Sequence, residues 1–408
     1  MLIKNANLID GKTNEIKLNI ALIIKDGRIQ KIIPDNISSK EGEDIIIDAQ
    51  GGTILPGFFN LHSHIHRRHL SWLKNDNPLE PFRIVHPRVE RLPIHDVLFF
   101  ALKNAWTELF MGITTIRDAG SRDNIATILR NLFAGSLFNG PRIISSGKII
   151  SMTGGHEESI STRECDGPDE VRKATREQFK AGADWVKFCA SGGLAGMPDK
   201  ENPHMIEFTY DELKAGIDVA HRRFKKALAH AHATEAIKNA VRAGVDTIEH
   251  GMYLDDEAIE MMIKNKTALV PTVSGIYRYA KLEEESGNID FSRMLMEEVV
   301  APHKKSVKKA FKAGIKIGTG SDTLGNIVDE IEIFKEIGFS SMEAIQSATR
   351  VSAEILGLNE ILGTIEVGKI ADIIIVNGDP LQNLKCLRNV PYVIKNGELV
   401  NPSWCLNL

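Results

Sequence analysis

Gly57-Phe58-Phe59-Asn60-Leu61-His62-Ser63-His64 is the stretch on which the reading of this chain turns. A short apolar run entered through Pro56-Gly57 reads as a buried parallel strand. His62 and His64 stand two apart in it, so both imidazoles lie on one face and can hold one cation. His66 repeats the spacing, and on spacing alone His64 with His66 would serve as well as His62 with His64.

Seven further runs of the same kind follow, at 113–118, 142–147, 183–188, 227–232, 246–250, 267–273 and 315–322. Helical patterns lie between several of them, such as the one over 168–181 with Gly182 placed as its C-terminal cap. Eight parallel strands with crossover helices close into a (β/α)8 barrel, a TIM-like α/β fold. A doubly wound open sheet is the alternative, but the first strand lacks its Gly-rich phosphate turn. Residues 1–56 and 357–408 instead alternate like antiparallel strands, with Asp26-Gly27 and Asn396-Gly397 as hairpin turns. The expected organisation is a small β-sandwich built from 1–56 and 357–408 around a barrel over 57–356.

Active sites of such barrels sit where the strands end, and the ends carry chemistry here. Lys187 stands in the apolar run Trp185-Val186-Lys187-Phe188, where an unpaired ammonium pays a large desolvation cost. A buried lysine tends to lose its proton, and the neutral amine can add carbon dioxide to become a carbamate able to bridge two metal ions. The other reading pairs it with a nearby acid. Cys189, two residues on, faces the same side and reads as a small filler. His230 and His232 end one strand and His250 the next. Asp322 closes the eighth after two glycines, and a carboxylate beside a metal can both ligate it and accept a proton from water.

Composition narrows the function classes. Lys and Arg total 50 against 54 for Asp and Glu, a net charge of −4 that provides no field for nucleic acid or anionic membrane. Four cysteines without a CxxC pair argue against a Cys-based zinc site and suit a reducing compartment. The N-terminal residues, broken by Lys4, Asn5 and Asn7, form neither a signal h-region nor a membrane span, so cytoplasmic residence is expected. The basic segment from Ile65 to Leu92 is too long for an ordinary loop and reads either as a lid or specificity element or as a solvated surface or subunit contact.

Taken together, Leu55-Pro56-Gly57 through His64, Val186-Lys187-Phe188, His230-Ala231-His232-Ala233, Ile248-Glu249-His250-Gly251 and Gly318-Thr319-Gly320-Ser321-Asp322 resemble the amidohydrolase superfamily, in the branch of imidazolonepropionase-like proteins and metal-dependent dipeptidases. The resemblance implies two divalent ions, expected to be zinc, with His62 and His64 as ligands and His66 outside. It makes Lys187 the carboxylated bridge, His230 and His250 the ligands of the second ion, and Asp322 a ligand that doubles as general base. The family motif has Asp where this chain has Asn60, so that charge is absent. His232 falls near substrate or is structural. Thr153–Glu157 resembles a substrate-contacting turn, making His156 the group that polarises the scissile carbonyl or binds a substrate carboxylate.

The activity implied is hydrolysis of dipeptides or short peptides by a homo-oligomeric enzyme. The leading expectation is release of a C-terminal Arg or Lys. The basic side chain would be met by Glu157, Glu158, Asp255 or Asp256, and the α-carboxylate by His156, Arg67 or Arg68. Xaa-Pro dipeptidase and imidazolone-type cyclic amide hydrolase are the alternatives within the branch. A scaffold that has lost its chemistry is the alternative outside it, and the completeness of the ligand positions stands against that.

Overall fold

A computed structural model describes residues 1–37, 45–67, 91–135, 137–157, 160–194 and 201–406. The terminal sheet begins with β1 (Leu2–Leu8), β2 (Lys17–Lys25), β3 (Arg28–Pro34), β4 (Ile46–Asp48) and β5 (Thr53–Pro56). Asp26 and Gly27 both take positive φ, 50° and 73°, the geometry that lets a two-residue turn follow the twist of β2 and β3.

The barrel supplies β6 (Phe58–Ser63), β7 (Ile113–Asp118), β8 (Arg142–Ser145), β9 (Ile149–Ser151), β10 (Thr162–Glu164), β11 (Trp185–Cys189), β12 (Lys226–Ala231), β13 (Thr247–His250) and β14 (Ala268–Val270). The C-terminal strands β15 (Ile373–Val376), β16 (Tyr392–Lys395) and β17 (Glu398–Leu399) return to the first sheet, which runs β17-β16-β15-β5-β1-β2-β3 with β4 beside β1. Both chain ends thus build one eight-stranded sheet.

Barrel neighbours are parallel throughout, β6 with β7, β7 with β8, and β11 through β14 in succession. Seven of the eight expected runs form strands, and two short strands that the pattern did not indicate, β9 and β10, add to them. β9 pairs with β11 beside a backbone bond from Asp184 N to Ser145 O, so it helps carry the wall from β8 to β11. Residues 315–322 form no regular strand. They close the ring through bridges Leu269↔Ile317 and Ser63↔Asp322 and through backbone bonds from Leu61 N to Thr319 O and from Asp322 N to His62 O. Crowding explains the irregularity: a Cβ on Gly320 would lie 2.7 Å from Val270 and 2.8 Å from His62, and Asp322 leaves the extended region with φ 54°.

Helices α1 (Ile94–Phe110), α2 (Ile125–Ala134), α3 (Gly167–Lys180), α4 (Tyr210–His221), α5 (Thr234–Ala243), α6 (Asp256–Asn265) and α7 (Val273–Glu285) lie between the strands. α3 ends as read, with Gly182 at φ 96° just past its C-cap Ala181. No helix among the described residues is long and apolar enough to cross a membrane. Barrel and sheet are joined by buried Asp372, which takes Arg142 Nη1 at 2.7 Å from β8 and Lys395 Nζ at 3.1 Å from β16.

Asn60 ties the first strand to the closing segment. Its Nδ2 donates to Glu108 Oε2 (3.0 Å) on α1 and Ser321 Oγ (2.7 Å), and its Oδ1 accepts from Ser321 N (3.2 Å) and His62 N (3.3 Å), all without solvent exposure. An aspartate there would replace the donating amide and set a second carboxyl group beside that of Glu108. Asn60→Asp should therefore cost about 3–5 kcal/mol, the usual penalty for breaking a buried polar pair. Adding Glu108→Gln should recover more than half in denaturant melts, and additive costs would show that the two side chains do not interact.

Candidate metal centre

Strand alternation brings the ionisable side chains to one cavity of about 750 Å³, including its open mouth. His62, His64, His156, Lys187, His230, His232, His250 and Asp322 all line it. Lys187 occupies the middle of β11 rather than its end, and Cys189 follows it onto the same wall. Two donor groups emerge, His62 with His64 and Asp322, and His230 with His232 and His250. Within each group the donor atoms lie within 4.8 Å of one another.

His66 is in neither group. It is buried beside Ser161 Oγ, 3.2 Å from its Nε2, whereas His62 and His64 share a donor group with Asp322. His232 sits in the second group although the motif reading placed only His230 and His250 there. Its buried Nδ1 has no hydrogen-bond partner among the described residues.

Several imidazoles are anchored through Nδ1. His62 Nδ1 meets Glu249 Oε2 at 2.6 Å, His64 Nδ1 meets Gly120 O at 2.7 Å, and His250 Nδ1 meets Thr272 Oγ1 at 2.6 Å. Such bonds orient the ring and leave Nε2 for an ion. Gly120 is needed where it stands, since a Cβ would lie 2.3 Å from Ile149 Cγ1. His250 and Thr272 both take positive φ, 68° and 56°, the second a conformation rare for a β-branched residue.

Electrostatics favour neutral donors. Burial, with nearby positive groups, holds His64, His230, His232 and His250 well below the ordinary imidazole value. Burial likewise pulls the Lys187 amine down. Divalent ions need unprotonated nitrogen, so the donor set fits them. Glu249 is the exception: burial would raise its carboxyl, but Arg117 and the His62 bond outweigh that and hold it at about 2.

His156 stacks on His230 with centroids 4.0 Å apart and meets Glu201 Oε2 at 3.1 Å through Nδ1. Burial disfavours its charge, yet Glu201, Glu157 and Glu207 together keep its pKa above the ordinary value. Arg67 forms two bonds to Glu157, 2.9 and 2.8 Å, and stands behind that cavity-lining carboxylate. Arg68 and Glu158, like most of the Ile65–Leu92 segment, lie outside the described residues.

Other contributors carried weaker sequence signals. Arg117, a cation within a wholly buried strand, requires a buried acid. Glu249 was part of a quoted motif, but simple alternation sends adjacent side chains to opposite faces, and only the left-handed turn at His250 lets both serve. Leu194, Ile276, Tyr279 and Leu324, which form an apolar part of the wall, carry no periodic signature.

The fold and this donor arrangement define an amidohydrolase, and the chain belongs to the amidohydrolase family, whose model matches residues 53–400. It is 29% identical to ochratoxinase of Aspergillus niger over 329 residues, 73% of this chain and 67% of that enzyme. A solved Xaa-Pro dipeptidase with methionine bound in its active site is similar at TM-score 0.85 and 32% identity, covering 98% of this chain and 99% of that one. A prolidase complexed with N-methylphosphonate-L-proline gives TM-score 0.85 at 30% identity with the same coverage. These neighbours bear out the branch read from the motifs.

The buried imidazoles set a pH dependence. In the unfolded chain His64, His230, His232, His250 and His303 titrate near 6.5, whereas burial lowers them in the folded protein, His303 to about 4. The unfolded chain therefore binds more protons between those values, and stability present above about pH 6.5 is lost as pH falls. The melting temperature of chelator-treated protein should be level above pH 7 and drop steeply from pH 6.5 to 4. A level profile down to pH 4.5 would contradict neutral burial.

Proposed function

We propose that the protein is a binuclear metal-dependent dipeptidase of the Xaa-Pro type, with zinc as the expected ion. The observation that carries this reading is the apolar wall of Leu194, Ile276, Tyr279 and Leu324 beside the histidines. It suits a pyrrolidine ring, which needs no counter-charge, whereas it presents no acidic side chain to a guanidinium or ammonium that must shed water.

Of the acids that would meet a C-terminal Arg or Lys, the three among the described residues are otherwise engaged. Asp255 caps α6 at Ala258 N and pairs with Lys238 at 2.8 Å. Asp256 is largely exposed and pairs with Lys309, and Glu157 is held by Arg67. The Xaa-Pro alternative is thus better supported than the basic-residue expectation, and the two solved relatives agree with it. The imidazolone-type reading has no comparable observation behind it.

In this reading His62 and His64 would hold one ion, His230 and His250 the other with His232 beside them, and Lys187, as its carbamate, would be a ligand to both. Ions so held would supply Lewis acidity for the scissile carbonyl and for activating water. Asp322, its Oδ1 fixed by Thr323 N at 2.7 Å and 3.8 Å from His64 Nε2, accepts the proton of the attacking water and returns it to the departing nitrogen. A secondary amine such as proline leaves only when protonated, so that return is required. His156, whose charged form its acidic neighbours favour, donates toward the carbonyl oxygen or the substrate carboxylate.

Comparing kcat/KM for one N-terminal residue followed by Pro, Leu, Arg or Lys tests the substrate. Pro should exceed Arg and Lys by tenfold or more, about 1.4 kcal/mol of transition-state discrimination. An advantage for Arg or Lys would restore the basic-residue reading.

Lys187→Ala should lose both metal retention and activity, with partial rescue by a short-chain carboxylic acid that replaces the bridging oxygens. Full activity without rescue would refute the carbamate.

A further inference from the structure

Beneath the His62 ring lies a chain of polar groups that no step of the proposed hydrolysis uses. His62 Nδ1 meets Glu249 Oε2 at 2.6 Å, and Glu249 Oε1 accepts from Arg117 Nη2 at 2.7 Å and from Thr247 Oγ1 at 2.5 Å. Arg117 also donates from Nη1 to Thr247 Oγ1 (3.1 Å) and from Nε to Leu61 O (2.6 Å), and its guanidinium lies 4.7 Å over the Trp185 ring. Arg117 and Glu249 are completely buried.

A carboxylate bonded to a guanidinium is acceptor-only, so the proton in the 2.6 Å contact belongs to His62 Nδ1. That leaves His62 Nε2 bare toward the cavity. The anchors of the other two imidazoles are weaker acceptors, a carbonyl for His64 and a hydroxyl for His250. Only His62 is backed by a charged group among these three, and an anionic partner raises the donor strength of the opposite nitrogen. Arg117 bonds to the carbonyl of Leu61 and to the carboxylate that holds His62, so it fixes both the backbone and the ring of the same ligand.

We propose that Glu249 is a positioning residue for His62, kept in place by Arg117, and that it governs retention of the ion held by His62, His64 and Asp322 rather than of the ion held by the second histidine group. The inference rests on the metal-centre reading above. It predicts an unequal response of the two ions to a change that touches neither.

Cobalt titration of the metal-depleted protein, read by absorbance and elemental analysis, tests it. Wild-type protein should take up two equivalents, and failure to bind any would defeat the metal-centre reading itself. Glu249→Gln should weaken one equivalent by tenfold or more, the scale expected when a ligand's outer partner is removed, and leave the other within threefold. Wild-type affinity for both ions, or equal weakening of both, would overturn the assignment.

Because Glu249→Gln strands the Arg117 charge, Arg117→Met/Glu249→Gln provides the second arm. If the pair only neutralises buried charge, the double variant regains both stability and cobalt affinity, which overturns the proposal. If Glu249 positions His62, stability returns and the selective loss remains. Nitrogen-15 spectra of histidine-labelled wild-type protein decide independently: His62 protonated at Nδ1 agrees, and His62 protonated at Nε2 refutes it even if neither variant folds.

Discussion

Closure of the barrel between its first and last strand positions is the constraint from which the rest follows. Ser321 N and Asp322 N both bond to the His62 carbonyl, at 3.1 and 2.8 Å, so the contact that shuts the ring also delivers Asp322 to the two first-strand histidines. Glycines make the approach possible, and Asn60 secures it from inside with an amide that serves both strands. Structure and chemistry share the same bonds, and a change that loosens the closure separates a proposed base from its proposed ligands.

A barrel interior dense in imidazole has to manage charge. It does so by two routes. Most of the cavity histidines are kept neutral by burial, which leaves their lone pairs for a cation, while the fixed charges are confined to pairs such as Arg117 with Glu249. Buried pairs of this kind contribute little net stability, but removing one partner is costly. Their value lies in orientation. The same division appears between barrel and sheet, where Asp372 draws Arg142 and Lys395 onto one carboxylate and holds the two units in register.

A different part of the wall is apolar. Leu194 precedes a segment leading toward β12, Ile276 and Tyr279 project from α7, and Leu324 follows the closing turn, so three separate connections furnish one apolar surface. In the proposed reading the strand-borne histidines and lysine serve the reaction, and these connections meet the substrate. That separation agrees with solved relatives that share the fold at high coverage while differing in name.

Local periodicity determined the architecture. Short apolar runs with ionisable ends specify parallel strands, alternating ends specify a sheet from both termini, and Asp26-Gly27 and Asn396-Gly397 specify its turns, because each signal lies within a few residues of its effect. The cavity-lining residues His62, His64, Lys187, His230, His250 and Asp322 were legible for the same reason, as was His156 through its motif. Tertiary structure alone decided the inclusion of His232 in a donor group and the engagement of Arg67, Asp255 and Asp256 by protein partners. It also decided that Glu249 faces His62 despite preceding His250 directly. Those outcomes depend on contacts between residues far apart in the chain and on left-handed turns at His250, Thr272 and Asp322, and neither leaves a repeating mark in the sequence.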